Sequence, residues 1–198
     1  MADAGHKCGA IVVIGGPSGS GKTTIVRRVL EADPDLVWSV SATTRAPRKG
    51  EIEGRDYRFL TREEFKRRSA AGEFAEWAES FGNLYGTPAA PLAEALRKGR
   101  VLVLDIDVQG ARQIRAKFPE VLLVFVRPPD LDTLVERLRK RRSETEEQFR
   151  ARLERARAEA GCEDEYDAVV VNDDLDTAVN ELRGLINGIK ERQRGKGG

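Results

Sequence analysis

Apolar residues fall in two patterns along this chain. Short continuous runs, "AIVVIG" at 10–15, "VLVLDID" at 101–107 and "VLLVFV" at 121–126, are unbroken by polar residues. That is the signature of strands covered on both faces, as in a parallel sheet. "LVWSVS" at 36–41 and "DAVVVN" at 167–172 read as two further strands. Between and after them lie longer stretches of helical period, among them "TTIVRRVLEA" after the first run and "DDLDTAVNELRGLINGIKERQ" near the end. Alternating strand and helix predicts an α/β protein with a five-stranded, mostly parallel sheet. The tail "RGKGG" is expected to fray.

Two segments break this rhythm. Residues 41–100 are polar and mixed, suggesting an inserted α/β lobe; residues 131–160 are helical, charged and rich in arginine, suggesting a lid. The core then consists of 1–40, 101–130 and 161–198.

With 198 residues, the chain suffices for one ordinary core with small insertions. Lys plus Arg number 34 against 33 Asp plus Glu, so no global field favours nucleic acid or an anionic membrane. No apolar run approaches the ~18 residues of a membrane helix, and the N-terminus lacks the layout of a secretory signal. Cys8 and Cys162 match no metal or redox spacing and read as reduced thiols of a cytoplasmic protein. His6, the single histidine, lies in a polar leader and is not read as catalytic.

"GPSGSGKTT" at 16–24 supplies the chemistry. It fits G-x-x-x-x-G-K-[ST] between a strand and a helix, the context of a phosphate-binding P-loop. Glycines such as Gly16, Gly19 and Gly21 let backbone N–H groups turn onto phosphate oxygens, and the helix N-terminus adds partial positive charge. Ser18, Ser20 and Thr24 complete the loop. Lys22 can reach the β/γ-phosphates and the Thr23 hydroxyl can sit on Mg²⁺. The chain is too short for a usual ATPase motor, and "NDDLD" is not the base-reading NKxD of a small GTPase. A small P-loop kinase with a second, acceptor site fits better.

"SATTRAPRKGEIEGRDY" at 41–57 is the candidate acceptor. Arg45 and Arg48 flank Pro47, giving two planar forks for one phosphate. Tyr57 and Tyr85 offer phenolic donors. Glu76, in "EFAEWAES", would share a strand face with Phe74 and Ala78, an awkward position for an unpaired carboxylate. A carboxylate can accept from N1 and N2 of guanine, whereas adenine presents an acceptor at N1. Pairing of Glu76 with a neighbouring arginine is the alternative. Asp105 and Asp107 end a buried strand, where open α/β sheets place ligands.

These segments, "SATTRAPR", "GEIEGRDYRFL", "GEFAEWAESFGNLYGT", "VLDIDVQG", "RSETEEQFRARL" and "VVVNDDLD", resemble the guanylate kinases in the same order, from Gly16 to about Leu182. The resemblance implies a P-loop NTPase core and phosphoryl transfer from ATP to GMP with Mg²⁺. It assigns Arg45, Arg48, Tyr57 and Tyr85 to the GMP phosphate, and Glu76, Ser41 and Thr87 to guanine. Asp105 is implied at the metal and substrate, Asp107 at guanine or the arginines, two roles that a shared strand face leaves interchangeable. Arg137, Arg141 and Arg152 are implied as lid arginines, Asn172 and Asp173 at the ATP base. For Asn172 and Asp173, capping the following helix is the alternative. "RRSET" departs from the family's pattern, and Arg142 there leaves open which of Arg141 and Arg142 makes the catalytic contact.

A catalytically silent, peptide-binding relative of these kinases would lack a working P-loop, whereas Gly21, Lys22 and Thr23 are intact here. A kinase for another nucleoside monophosphate is disfavoured by Glu76 and Ser41. Expected partners are ATP and GMP, with no nucleic acid and no membrane; monomer and homo-oligomer are equally compatible with the sequence.

Overall fold

The computed structural model describes residues 9–139 and 146–196. Its elements run β1 (Ala10–Gly15), α1 (Lys22–Ala32), β2 (Leu36–Trp38), β3 (Ala42–Thr43), β4 (Arg58–Phe59), α2 (Arg62–Ala70), β5 (Phe74–Ser80), β6 (Asn83–Pro88), α3 (Ala89–Arg97), β7 (Val101–Asp105), α4 (Val108–Lys117), β8 (Leu122–Arg127), α5 (Leu131–Arg139), α6 (Glu146–Ala160), β9 (Ala168–Val171) and α7 (Leu175–Lys196). Five strands form a sheet in the order β2-β7-β1-β8-β9, every pair parallel. The alternation of β1 shows why both faces are apolar. Val12 and Ile14 pack with Ile25, Val29, Leu182 and Ile186 beneath α1 and α7. Ile11 and Val13 face the opposite way, toward Leu92, Ala111 and Ile114 of α3 and α4.

A second sheet, β4-β3-β6-β5, is built from residues between β2 and β7 and has its own core of Ala42, Phe65, Phe74 and Leu84. Helices α5 and α6 pack on each other through Leu134, Leu138, Phe149 and Ala156.

Four details differ from the sequence reading. The run 36–41 is not one strand: after Ser39 donates its N–H to Val103, the chain leaves the first sheet and Ala42 enters the second. The run 101–107 stops at Asp105, because Asp107 caps α4, its Oδ1 accepting from the Gly110 N–H at 3.0 Å. Asp105 and Asp107 therefore do not share a strand face. The β5–β6 register shifts between Phe74 and Glu76. This bulge turns Phe74 onto the α2 side, where its ring stacks on Phe65 at 4.4 Å, while Glu76 points the other way. Finally, α7 continues through Lys196, into the tail expected to fray.

Among the described residues no helix is long and apolar enough to cross a membrane.

Candidate active site

The loop after β1 turns on glycines that no other residue could replace cheaply. Gly16, Gly19 and Gly21 have φ of 123°, 93° and 92°, and a Cβ on Gly16 would lie 2.1 Å from the Val126 carbonyl oxygen. Gly21 N-caps α1, so the loop and the helix N-terminus face one cavity. Lys22 folds back over this loop, donating from Nζ to the carbonyls of Gly16 (2.5 Å) and Pro17 (3.1 Å). The Thr23 hydroxyl donates to Asp105 Oδ2 at 3.4 Å. Burial pushes the Asp105 carboxyl up, with the Lys22 charge opposing. Two hard oxygens, one from the first turn of α1 and one from a strand end, fit Mg²⁺, which keeps waters and takes its other ligands from phosphates.

The loop opens into a cleft of about 1210 Å³. That exceeds the roughly 300–1,000 Å³ of a single small-molecule pocket. Gly16, Ser18, Gly19, Gly21, Lys22, Thr23 and Thr24 line one end; Ser41, Arg45, Arg48, Tyr57, Glu76 and Tyr85 line the other, and Asp105, Asp107, Arg137 and Arg152 also border the cleft. The second sheet positions the far end. Thr43 and Tyr85 are cross-strand partners on β3 and β6, and the rings of Tyr85 and Tyr57 meet edge-on at 6.2 Å. Burial, then repulsion from Asp105, raises the Tyr57 hydroxyl to about 12, keeping it a donor.

Arg45 is not idle. Its Nη2 donates to Glu51 Oε1 and Oε2 at 2.8 and 3.0 Å, and its guanidinium lies 5.4 Å from the Tyr57 ring centroid. Glu51 Oε2 also accepts the Arg48 backbone N–H at 2.7 Å. Burial works most strongly against the Glu51 charge, yet the Arg45 bond, the Arg48 N–H and the charges of both arginines together outweigh it and hold the carboxyl below its ordinary value. Nothing local in "RKGEIEG" distinguishes Glu51 from its neighbour Glu53; only the folded loop does.

Glu76 is buried at 4% exposure and its Oε1 accepts from Thr87 Oγ1 at 2.6 Å. No arginine pairs with it among the described residues, so the ion-pair alternative fails. Burial pushes Glu76 up to about 7, Thr87 opposing and Asp107 adding repulsion. Thr87 is itself fully buried and reaches the cleft only through Glu76.

Three expected contacts are placed differently. The Ser20 side chain is buried beneath the loop, leaving only its backbone for a nucleotide. Asn172 is buried too: its Nδ2 donates to the Ser20 carbonyl at 2.7 Å and its own carbonyl accepts from Arg137 Nη2 at 3.0 Å. Its amide therefore braces the loop. Asp173 is exposed and outside the cleft lining, and Asp174 caps α7, accepting from the Thr177 N–H at 2.8 Å. Arg152 Nη2 donates to Ser18 Oγ at 2.6 Å. Arg141, Arg142, His6 and Cys8 lie outside the described residues. Sequence reasoning missed Arg155 and Glu159, which line the cleft from α6.

Residues 9–188 match the family model described as guanylate kinase. The guanylate kinase of Nocardia farcinica is 53% identical over 179 residues, covering 89% of this chain and 93% of that protein. That of Rubrobacter xylanophilus is 50% identical, over 88% and 91%. A crystal structure of guanylate kinase from Anaplasma phagocytophilum superposes with a TM-score of 0.78 at 37% identity, over 93% of this chain and 87% of that one.

Proposed function

The chain belongs to the guanylate kinase family, whose reaction is ATP + GMP to ADP + GDP, and from that premise we propose how its own residues divide the work. The carrying observation is that a P-loop and a Glu76–Arg45–Tyr57 receiver face one another across one cleft. Use of dGMP belongs to the same proposal, as does a cytoplasmic location, where both substrates are found.

The donor end takes ATP on the backbone N–H groups of Gly16 to Thr24, with Lys22 turning from its carbonyl partners to the β/γ-phosphates. Asn172 supports this loop from below, and Asp173 is left at its edge. Thr23 and Asp105 would hold Mg²⁺ largely through phosphates and water, and the ion would supply charge neutralisation on the phosphates. The acceptor end, residues 41–100, takes the GMP phosphate on Arg45, Arg48, Tyr57 and Tyr85. Guanine sits on Glu76, supported by Ser41, Thr87 and Asp107.

No general base is required. The acceptor phosphate has a second pKa near ~6 and is already anionic at neutral pH. The barrier is the approach of two polyanions, which Lys22, Arg48, Arg137 and Arg152 lower by preorganised positive charge, with Arg141 as a further lid arginine by family pattern. Residues 131–160 act as a lid that closes over ATP and excludes water.

The test is ADP release from ATP–Mg²⁺ with GMP, dGMP, AMP, CMP, UMP or dTMP offered separately, beside Glu76→Gln. Turnover confined to the guanine nucleotides and weakened in the variant supports the reading. GMP that binds without turnover would place the chain with silent relatives of the kinases.

A further inference from the structure

Helix α6 carries two arginines three residues apart, hence on adjoining positions of one face. They reach opposite halves of the cleft. Arg152 donates to Ser18 in the P-loop at 2.6 Å. Arg155 instead spans three bodies at once. Its Nη1 donates to Ser80 Oγ at the end of β5, and its Nη2 to Asp107 Oδ2, the N-cap of α4, at 3.3 Å. Its Nε donates to Glu159 Oε1 at 2.6 Å, which fixes the plane of the guanidinium from one helical turn away.

The hairpin it touches is unusual. Phe81 has φ of 50° and precedes Gly82 in the turn between β5 and β6. Tight hairpin turns favour Asn, Asp or Gly at such a position, and a bulky residue held there is strained. Phe81 is also 59% exposed. It does have a partner: the Arg155 guanidinium stands 4.8 Å from the ring centroid. Ring, hydroxyl and carboxylate thus converge on one side chain from the opposite wall.

We propose that Arg155 is a positioning residue that couples the lid to the acceptor lobe, so that ATP beneath the lid and GMP in the lobe each tighten the binding of the other. The inference rests on the division into donor and acceptor ends proposed above. A lid seated on the P-loop by Arg152 carries Arg155 with it, and Arg155 seats on the hairpin that ends the Glu76 strand. Occupying either end then favours the arrangement that the other end requires. Such coupling is reciprocal, and is typically worth roughly fivefold or more in affinity.

Calorimetry on the full chain tests this, titrating GMP alone and again with a non-hydrolysable ATP analogue and Mg²⁺. In the unmodified protein the analogue tightens GMP roughly fivefold or more. In Arg155→Ala the ratio falls toward one, in Arg155→Lys it is intermediate because the charge remains without the fork, and in Ser80→Ala it falls in the same direction. A purely structural Arg155 would lower the melting temperature and leave the ratio untouched. A ratio within twofold of the unmodified value in Arg155→Ala or Ser80→Ala overturns the coupling. Binding of both nucleotides without mutual tightening in the unmodified chain overturns it alone; failure to bind GMP at all overturns the kinase reading with it.

Discussion

Thr87 Oγ1 donates to Glu76 Oε1 at 2.6 Å between residues paired across β5 and β6, both of them buried. This bond is the main force opposing protonation of Glu76. Hydrogen bonds to charged groups are worth about 1.5–3 kcal/mol. Thr87→Val, similar in shape, should therefore raise KM for GMP by roughly tenfold to a hundredfold, with KM for ATP little changed in steady-state assays.

Gly110 offers a second, purely steric test. A Cβ there would stand 2.5 Å from Glu76 Oε2. Gly110→Ala places a better helix former in the first turn of α4, worth up to about 1 kcal/mol, while pushing the carboxylate aside. The expected pairing is an unchanged or higher melting temperature with a raised KM for GMP. A lowered melting temperature with normal GMP kinetics would contradict it.

The value of about 7 for Glu76 sets a pH dependence. On the proposed reading guanine donates its N–H groups to the carboxylate, so GMP affinity should be fully present above pH 7 and decline as pH falls through it. GMP's own phosphate titrates near ~6, so the Glu76→Gln profile, flat near pH 7, isolates the contribution of Glu76. Binding enthalpies measured by calorimetry in buffers of different ionisation enthalpy should also reveal proton release on binding near neutrality.

The same shift has a cost in the empty protein. The folded pKa lies above the ordinary 4.5, so the penalty is absent below that pH and grows as pH rises toward 7. Glu76→Gln should stabilise the nucleotide-free chain at pH 8, by up to about 3 kcal/mol at 1.36 kcal/mol per unit, even as it weakens GMP binding. Denaturant titrations at pH 5 and pH 8 check this: the gain should appear only at the higher pH.

Asn172→Ala removes a buried support of the P-loop and leaves the Ser20 carbonyl unpaired. The loss should be about 1–3 kcal/mol of stability, with KM raised equally for ATP and for GTP offered as donor. A selective loss of ATP would restore the amide to reading the base.

The parallel sheet and the P-loop were legible because their signals are local: unbroken apolar runs, and a glycine pattern between a strand and a helix. The arginines and tyrosines of the receiver were legible by spacing and family pattern, and they do line one cleft. What escaped depends on distant partners. The bulge before Glu76 is settled by Phe65 stacking on Phe74. Asp107 becomes a cap because Val108 begins a helix in place of continuing a strand. Arg155 looks like any solvent-facing cation of a charged helix until Ser80, Phe81 and Asp107 are brought beside it.

A phosphate receiver made of bare arginines would be a trap for any passing anion. Here the chain supplies its own decoy. Glu51 fills the fork of Arg45 and the N–H of Arg48 before substrate arrives. Being tethered, it competes at an effective concentration on the order of millimolar. On the proposed reading, inorganic phosphate would have to displace it with nothing else to hold, whereas a guanine nucleotide would have Glu76 as a second grip. Self-occupancy would thus favour a ligand with two points of attachment over a lone anion.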